Sequence, residues 1–188
     1  MKRYLIALVA LIAFMEIIDL NAEPNGKAAT SPANSSITAV VRTKDNLGCL
    51  VLQKNQQDLV EICSAAPGGI VPKLQDANMQ DNQLAVVLDY DNWFLYQRYE
   101  LAGGVWTLKQ KTYFNSMNLS RKQRLLLVEM PDLTHAKLTF SKKGDSLFRK
   151  KGLTQPGDRE ELFEFSSNGT VLKNGAPYNY NSGRESTN

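Results

Sequence analysis

Few side chains in this chain suit bond-making chemistry. His135 is the single histidine, so any Ser-His-Asp arrangement has to run through it. It alternates with Lys137 and Thr139, while Ala136, Leu138 and Phe140 occupy the positions between. That period-two pattern places His135 on the wet face of a half-exposed strand. Cys49 and Cys63 have no histidine near them and no CxxC spacing. No HExxH, GxSxG, P-loop or Gly-rich dinucleotide turn occurs, and Gly68-Gly69 and Gly103-Gly104 read as turns. The sequence therefore predicts no catalytic constellation, no metal site and no cofactor.

Paired carboxylates are the remaining catalytic option, since a glycosidase needs only two. Asp89, Asp91 and Glu100 fall in a stretch that also holds rings able to stack on sugars. Asp91 reads as a turn residue, and Asp89 and Glu100 as strand ends pointing outward. A carboxylate-based glycan hydrolase stays as an alternative on these residues. The run Asp158, Glu160, Glu161 and Glu164 reads as a solvated acidic loop and strand edge rather than a metal cluster.

Charge is distributed unevenly. The formal net charge is only +3, yet Lys109 to Lys151 holds 11 Lys or Arg against three acids, Glu129, Asp132 and Asp145. If its elements are neighbours, Lys109, Lys111, Arg121, Lys122, Arg124, Lys142, Lys143, Arg149, Lys150 and Lys151 form one basic surface. Such a surface attracts anions, most strongly at low salt. The competing expectation is a solvated face with its own acidic partner in the Asp158–Glu164 run. Tyr96, Arg98 and Tyr99 are expected to reach the surface as an aromatic recognition patch, because Tyr and Arg are favoured at interface centres. Trp93 and Trp106 read as core.

The elements that must position these groups are short strands. Gln83 to Phe114 holds both tryptophans and four of the seven tyrosines, and it reads as three strands in a row. Leu84–Tyr90 is nearly continuous apolar, as in a strand covered on both faces. On the return strand Trp93, Leu95 and Tyr99 share one face, and Phe94 and Tyr96 the other. The third strand is expected to bury Trp106, Leu108 and Phe114 together, with Thr107, Lys109 and Lys111 outside. Asp91-Asn92, Gly103-Gly104 and Asn168-Gly169 are turn signals. Ser64 to Asn82 reads as a long irregular connection, in which Val71 to Met79 forms at most two helical turns. Asn115 to Arg124 reads as one short helix, and Ser146–Leu153 as a strand returning along His135–Lys142. The class is mainly β: an antiparallel meander of about ten short strands closing into a small barrel or sandwich, with one or two short helices.

The cysteines fix a register. In a hairpin around Gln56, pairing Cys49 with Cys63 also pairs Leu50 with Ile62 and Leu52 with Val60. Those four apolar residues then share one face and the cysteines the other. A disulfide between them follows in an exported chain. Export itself is read from residues 1–22. Lys2 and Arg3 precede the apolar run Tyr4 to Met15, and a small residue, Ala22, ends the segment. Residues 23–36 read as a flexible leader, 37–178 as a single β-rich domain and 179–188 as a disordered tail. Sequons begin at Asn34, Asn118 and Asn168, about as many as composition alone predicts.

These observations support an exported, periplasmic or secreted, non-enzymatic binding module that engages an anionic partner, an acidic protein or envelope component, through its basic face. A lipocalin-like carrier of a small hydrophobic ligand is the second reading, although the lipocalin signature at the first strand is absent. Nucleic acid fits an exported chain poorly as a partner, and no stable membrane span is expected once the signal is removed.

Overall fold

Turn chemistry divides the chain into hairpins. Asp45-Asn46, Asn55-Gln56, Gly103-Gly104 and Asn174-Gly175 each have positive φ at both positions. Turns of that hand match the twist of paired strands, and Asp, Asn and Gly tolerate them best. The computed structural model describes residues 37–90, 93–114, 123–142 and 150–179. Among these it has twelve strands in three antiparallel sheets, each a simple meander. The first holds β1 (Ile37–Lys44), β2 (Leu47–Lys54) and β3 (Gln57–Cys63). The second holds β4 (Lys73–Gln80), β5 (Gln83–Asp89), β6 (Phe94–Ala102) and β7 (Val105–Phe114). The third holds β8 (Leu125–Glu129), β9 (His135–Phe140), β10 (Arg159–Phe165), β11 (Val171–Lys173) and β12 (Ala176–Pro177).

The second sheet is the middle layer. Leu84, Val86, Leu88, Leu95 and Tyr99 pack with Ile37, Leu50, Leu52 and Ile62 of the first sheet. Ala85, Val87, Phe94, Tyr96 and Phe114 pack with Val128, Leu138, Phe140, Phe163 and Phe165 of the third. Residues 84 to 88 of β5 are all fully buried. Side chains alternate across a strand, so covering both faces requires an unbroken apolar run. The all-β class and the sandwich-like arrangement agree with the sequence. No sheet closes on itself among the described residues, so there is no barrel lumen, and side chains fill the spaces between layers.

The disulfide Cys49–Cys63 is present, and Cys49↔Cys63, Leu50↔Ile62 and Leu52↔Val60 are register partners as expected. An extra residue at Leu59, between Val60 and Asp58, lets that register coexist with a two-residue turn.

Three expectations fail. Residues 73–80 form β4, not a helical turn in an irregular connection. Asp76 and Asn78 are buried there because they bond the third sheet: Asp76 Oδ2 accepts the Met130 amide at 2.6 Å, and Asn78 Nδ2 donates to the Met130 carbonyl at 3.0 Å. The second failure concerns β7. Tyr99 pairs with Leu108 but Arg98 with Gln110, so Lys109 is a bulge. The bulge exchanges the faces of the strand. Trp106 packs toward the first sheet and Phe114 toward the third, while Leu108 stays exposed. Finally, residues 150–153 are not a returning strand, because β10 takes the place beside β9. The signal-like segment, the leader, the Asp91-Asn92 turn, most of the Asn115–Arg124 stretch and most of the tail lie outside the described residues.

Candidate functional site

The basic segment is divided between two sheets. Lys109 and Lys111 belong to β7, where Gln110 Nε2 donates to the Ser166 carbonyl at 3.0 Å, beyond the C-terminal end of β10. Arg124 sits at the opposite end of that strand. Ser141 N donates to the Arg124 carbonyl at 2.8 Å, and the neighbouring Phe140 pairs with Arg159. Arg159 and Phe165 bound β10, six residues or roughly 20 Å apart. Lys109 is also close to Glu100, at 3.5 Å, and Lys111 lies over the Tyr113 ring at 5.3 Å. Arg121, Lys122, Lys143 and Arg149 lie outside the described residues.

One cationic corner remains. Arg124 immediately precedes β8, Lys142 follows Ser141, and Gly152 N donates to the Leu126 carbonyl at 2.8 Å, which brings Lys150 and Lys151 to the same strand end. Lys142, Lys150 and Lys151 are exposed. Among the described residues Asp158 is an acid in this corner. Its oxygens accept the backbone amides of Lys142 at 3.2 Å and Gln155 at 2.7 Å. Elsewhere basic β9 lies against acidic β10. Lys137 Nζ is 2.8 Å from Glu160 and 3.7 Å from Glu129. The Glu160 bond raises the Lys137 pKa despite the opposing effect of burial. One cation of the basic segment is thus matched by acids across the strand ladder.

Glu161 is not a solvated edge residue. It faces inward with Phe163 and Phe165 and is 4% exposed. Lys173 Nζ at 2.8 Å and Arg159 Nη1 at 3.4 Å hold one of its oxygens.

His135 is half-buried and bracketed by acids. Its Nδ1 lies 2.8 Å from Asp132 Oδ2, and its Nε2 lies 4.0 Å from Glu164. The Thr134 hydroxyl also meets Nδ1, at 3.1 Å, and donates to Asp132 Oδ1 at 2.9 Å. A proton relay needs hydroxyl and carboxylate on opposite ring nitrogens, so this cluster is arranged as a turn clasp. Burial of Asp132 opposes its ionisation. Bonds from the Thr134 amide, the His135 ring and the Thr134 hydroxyl prevail and hold the carboxyl below its usual range. Asp89 and Glu100 are also poorly placed for shared chemistry. Asp89 pairs with Phe94 and Glu100 with Gln83, at opposite ends of β5, again roughly 20 Å apart. Glycosidase pairs lie within about 10 Å. Asp91 lies outside the described residues.

The expected Tyr96–Arg98–Tyr99 surface patch does not form. Tyr96 is fully buried, stacks on Phe165 at 4.0 Å and donates to the Leu133 carbonyl at 2.6 Å. Burial pushes its phenol up to about 12. Tyr99 is 6% exposed and bonds Gln97 at 2.8 Å; burial raises its pKa too. Arg98 is half-buried between them. Tyr113 is exposed and Tyr90 and Trp93 are half-buried, with Trp93 4.6 Å from Tyr90 and 4.8 Å from Tyr113. Aromatic content alone does not separate these two sets of rings. Their positions at strand ends do, and this is where the sequence held a usable signal.

A second candidate site was not legible. The tips of the β2–β3 and β6–β7 hairpins and the end of β4 enclose a cleft of about 540 Å³, with Lys54, Met79 and Trp106 in its lining. These residues are far apart in sequence and share no motif.

By fold and site the chain belongs to the class of small, disulfide-linked, all-β proteins. Comparisons with family models, curated proteins and solved structures find no match that would narrow the class further.

Proposed function

We propose that this chain is an exported, non-enzymatic binding module whose anionic partner is an acidic protein or envelope component. The observation that carries this reading is the convergence of Arg124, Lys142, Lys150 and Lys151 at one end of β8–β9. The contact surface is smaller than the whole basic segment. Lys137 has its own acids, and Lys109 and Lys111 lie elsewhere. The signal-like N-terminus supports export, as does the disulfide, which persists in oxidising compartments. Among the described residues no helix is long and apolar enough to cross a membrane.

The test is binding to an acidic polymer, poly-glutamate, over a salt series. Exposed charges are screened within about 10 Å at 0.1 M salt. Affinity is therefore expected to fall steeply as salt rises. The Lys150→Glu, Lys151→Glu double variant is expected to bind severalfold more weakly and with a shallower salt dependence. A variant with the wild-type salt dependence overturns the assignment.

A further inference from the structure

The cleft between the hairpin tips carries a charge arrangement that the basic corner does not explain. One side of it is apolar: Leu59, Met79, Leu101 and Trp106 are half-buried there and Val105 at the rim is 64% exposed, while Asn55 and Gln57 add polar lining beside them. Two ionisable side chains line it, Lys54 and Asp58. Asp58 is already engaged. Arg42 reaches its two oxygens at 2.5 and 3.2 Å, and Gln53 Nε2 donates to it at 2.6 Å. The Arg42 bond, then the Gln53 bond, hold its carboxyl below the usual range against the effect of burial. Lys54 differs. It is half-buried, and its ammonium donates to Met79 Sδ at 3.7 Å. A thioether is a weak acceptor and brings no charge. The cleft therefore offers one uncompensated cation beside an apolar surface that includes a tryptophan. At about 540 Å³ it also falls within the size range of small-molecule sites, roughly 300–1,000 Å³.

We infer that this cleft binds an amphipathic anion, an unbranched acyl chain ending in a carboxylate or similar group. The head group sits on Lys54 in place of the thioether contact. The chain lies across Met79 and Leu59 against the Trp106 ring. Charge complementarity selects the head, since an ammonium beside an apolar wall gains most from an anion that is itself partly desolvated. Neither the face that engages poly-glutamate nor its salt dependence enters this site, so either assignment can fail without the other.

The probe is dodecanoate below its micelle concentration. Trp93→Phe leaves Trp106 as the single tryptophan, and its fluorescence reports occupancy. Saturable titration is expected. Dodecanol and dodecyltrimethylammonium are expected to bind at least tenfold more weakly, and Lys54→Gln is expected to remove that preference for the anion. Calorimetry on the chain with both tryptophans, with and without Lys54→Gln, gives the same comparison if Trp93→Phe does not fold. Vesicles containing phosphatidylglycerol separate a free acyl anion from a membrane surface. Equal binding of alcohol and carboxylate overturns the inference. So does an unchanged preference in Lys54→Gln, no binding of dodecanoate, or binding to vesicles alone.

Discussion

Toward β1–β3 the middle sheet presents Leu84, Val86, Leu88 and Leu95; toward β8–β12 it presents Phe94, Tyr96 and Phe114, with Asp76 and Asn78 beside them. The first interface is mainly aliphatic among its fully buried residues, with Tyr99 buried in it and Tyr90, Trp93 and Trp106 packed against it, and the disulfide ties together β2 and β3 of the sheet that covers it. The second is built from rings in specific contact. Tyr96 stacks on Phe165 at 4.0 Å, and Phe114 meets Phe163 at 4.9 Å and Phe165 at 5.0 Å. It also carries cross-sheet hydrogen bonds to the backbone of Met130 and Leu133. Aliphatic burial is non-directional, whereas stacked rings and buried hydrogen bonds fix orientation. The outer layers are thus attached by different means, one by contact area and the other by geometry.

The largest effect that tests this contrast is Phe165→Ala, expected to cost about 4 kcal/mol, against about 3 kcal/mol for Leu52→Ala on the aliphatic side. Urea unfolding gives both values, and the contrast fails if Leu52→Ala proves clearly the more costly. Next comes removal of the disulfide by replacing Cys49 and Cys63 with Ser together, expected to cost about 3 kcal/mol. Amide exchange in the variant is expected to quicken in β1–β3 first, while β8–β12 keeps its protection. Equal loss in both would mean that the layers open as one unit.

Asp76→Ala is expected to cost about 2 kcal/mol, because it leaves the Met130 amide buried without its acceptor. Asp76→Asn keeps an acceptor oxygen and is expected to cost less. A smaller effect still, about 1 kcal/mol, is expected for Tyr96→Phe, which deletes one hydrogen bond. The same residue gives a pH signature. An ordinary phenol ionises near pH 10, so below that value its linkage contribution is constant. Above it the unfolded chain loses this proton first, and stability declines as pH climbs toward the buried value of about 12. Chemical denaturation between pH 10 and 12 is expected to show a shallower decline for Tyr96→Phe than for wild type.

The aliphatic half was the more readable of the two. Cys49 and Cys63 and the apolar residues around them demand one register between them, and β5 declares its double burial by an unbroken apolar run. On the other side the signals mislead for physical reasons. Lys73–Gln80 looks like a loop because Asp76 and Asn78 are polar, yet both are buried against a backbone that lies more than 50 residues further along the chain. A partner at that distance leaves no periodicity. Tyr96 and Tyr99 looked like surface residues because each carries a hydroxyl, but the Leu133 carbonyl and the Gln97 amide satisfy those hydroxyls inside. The basic segment is legible as composition, but strand pairing decides which of its members adjoin: among the described residues Lys109 and Lys111 lie on β7 and Arg124 and Lys142 beside β8 and β9 of another sheet. Nothing local distinguishes Lys54 from any other lysine in a hairpin. Its place over Met79 exists only after two hairpin tips meet.

The bulge at Lys109 sets a limit on how this chain can change in length. Trp106 and Phe114 belong to different layers only because one surplus residue separates their alternation. Deleting that one surplus residue would leave a spacing of seven, equal to that of the partners Leu101 and Phe94, so a regular ladder would keep each ring on its own side, whereas deleting two residues would turn one of them to the wrong side. The hairpin tip at Gly103-Gly104 has no such constraint, since insertions there extend a loop into solvent. Among descendants of this chain, insertions and deletions are therefore expected to accumulate at the hairpin tip, while the spacing from Trp106 to Phe114 stays at eight with the bulge or seven without it.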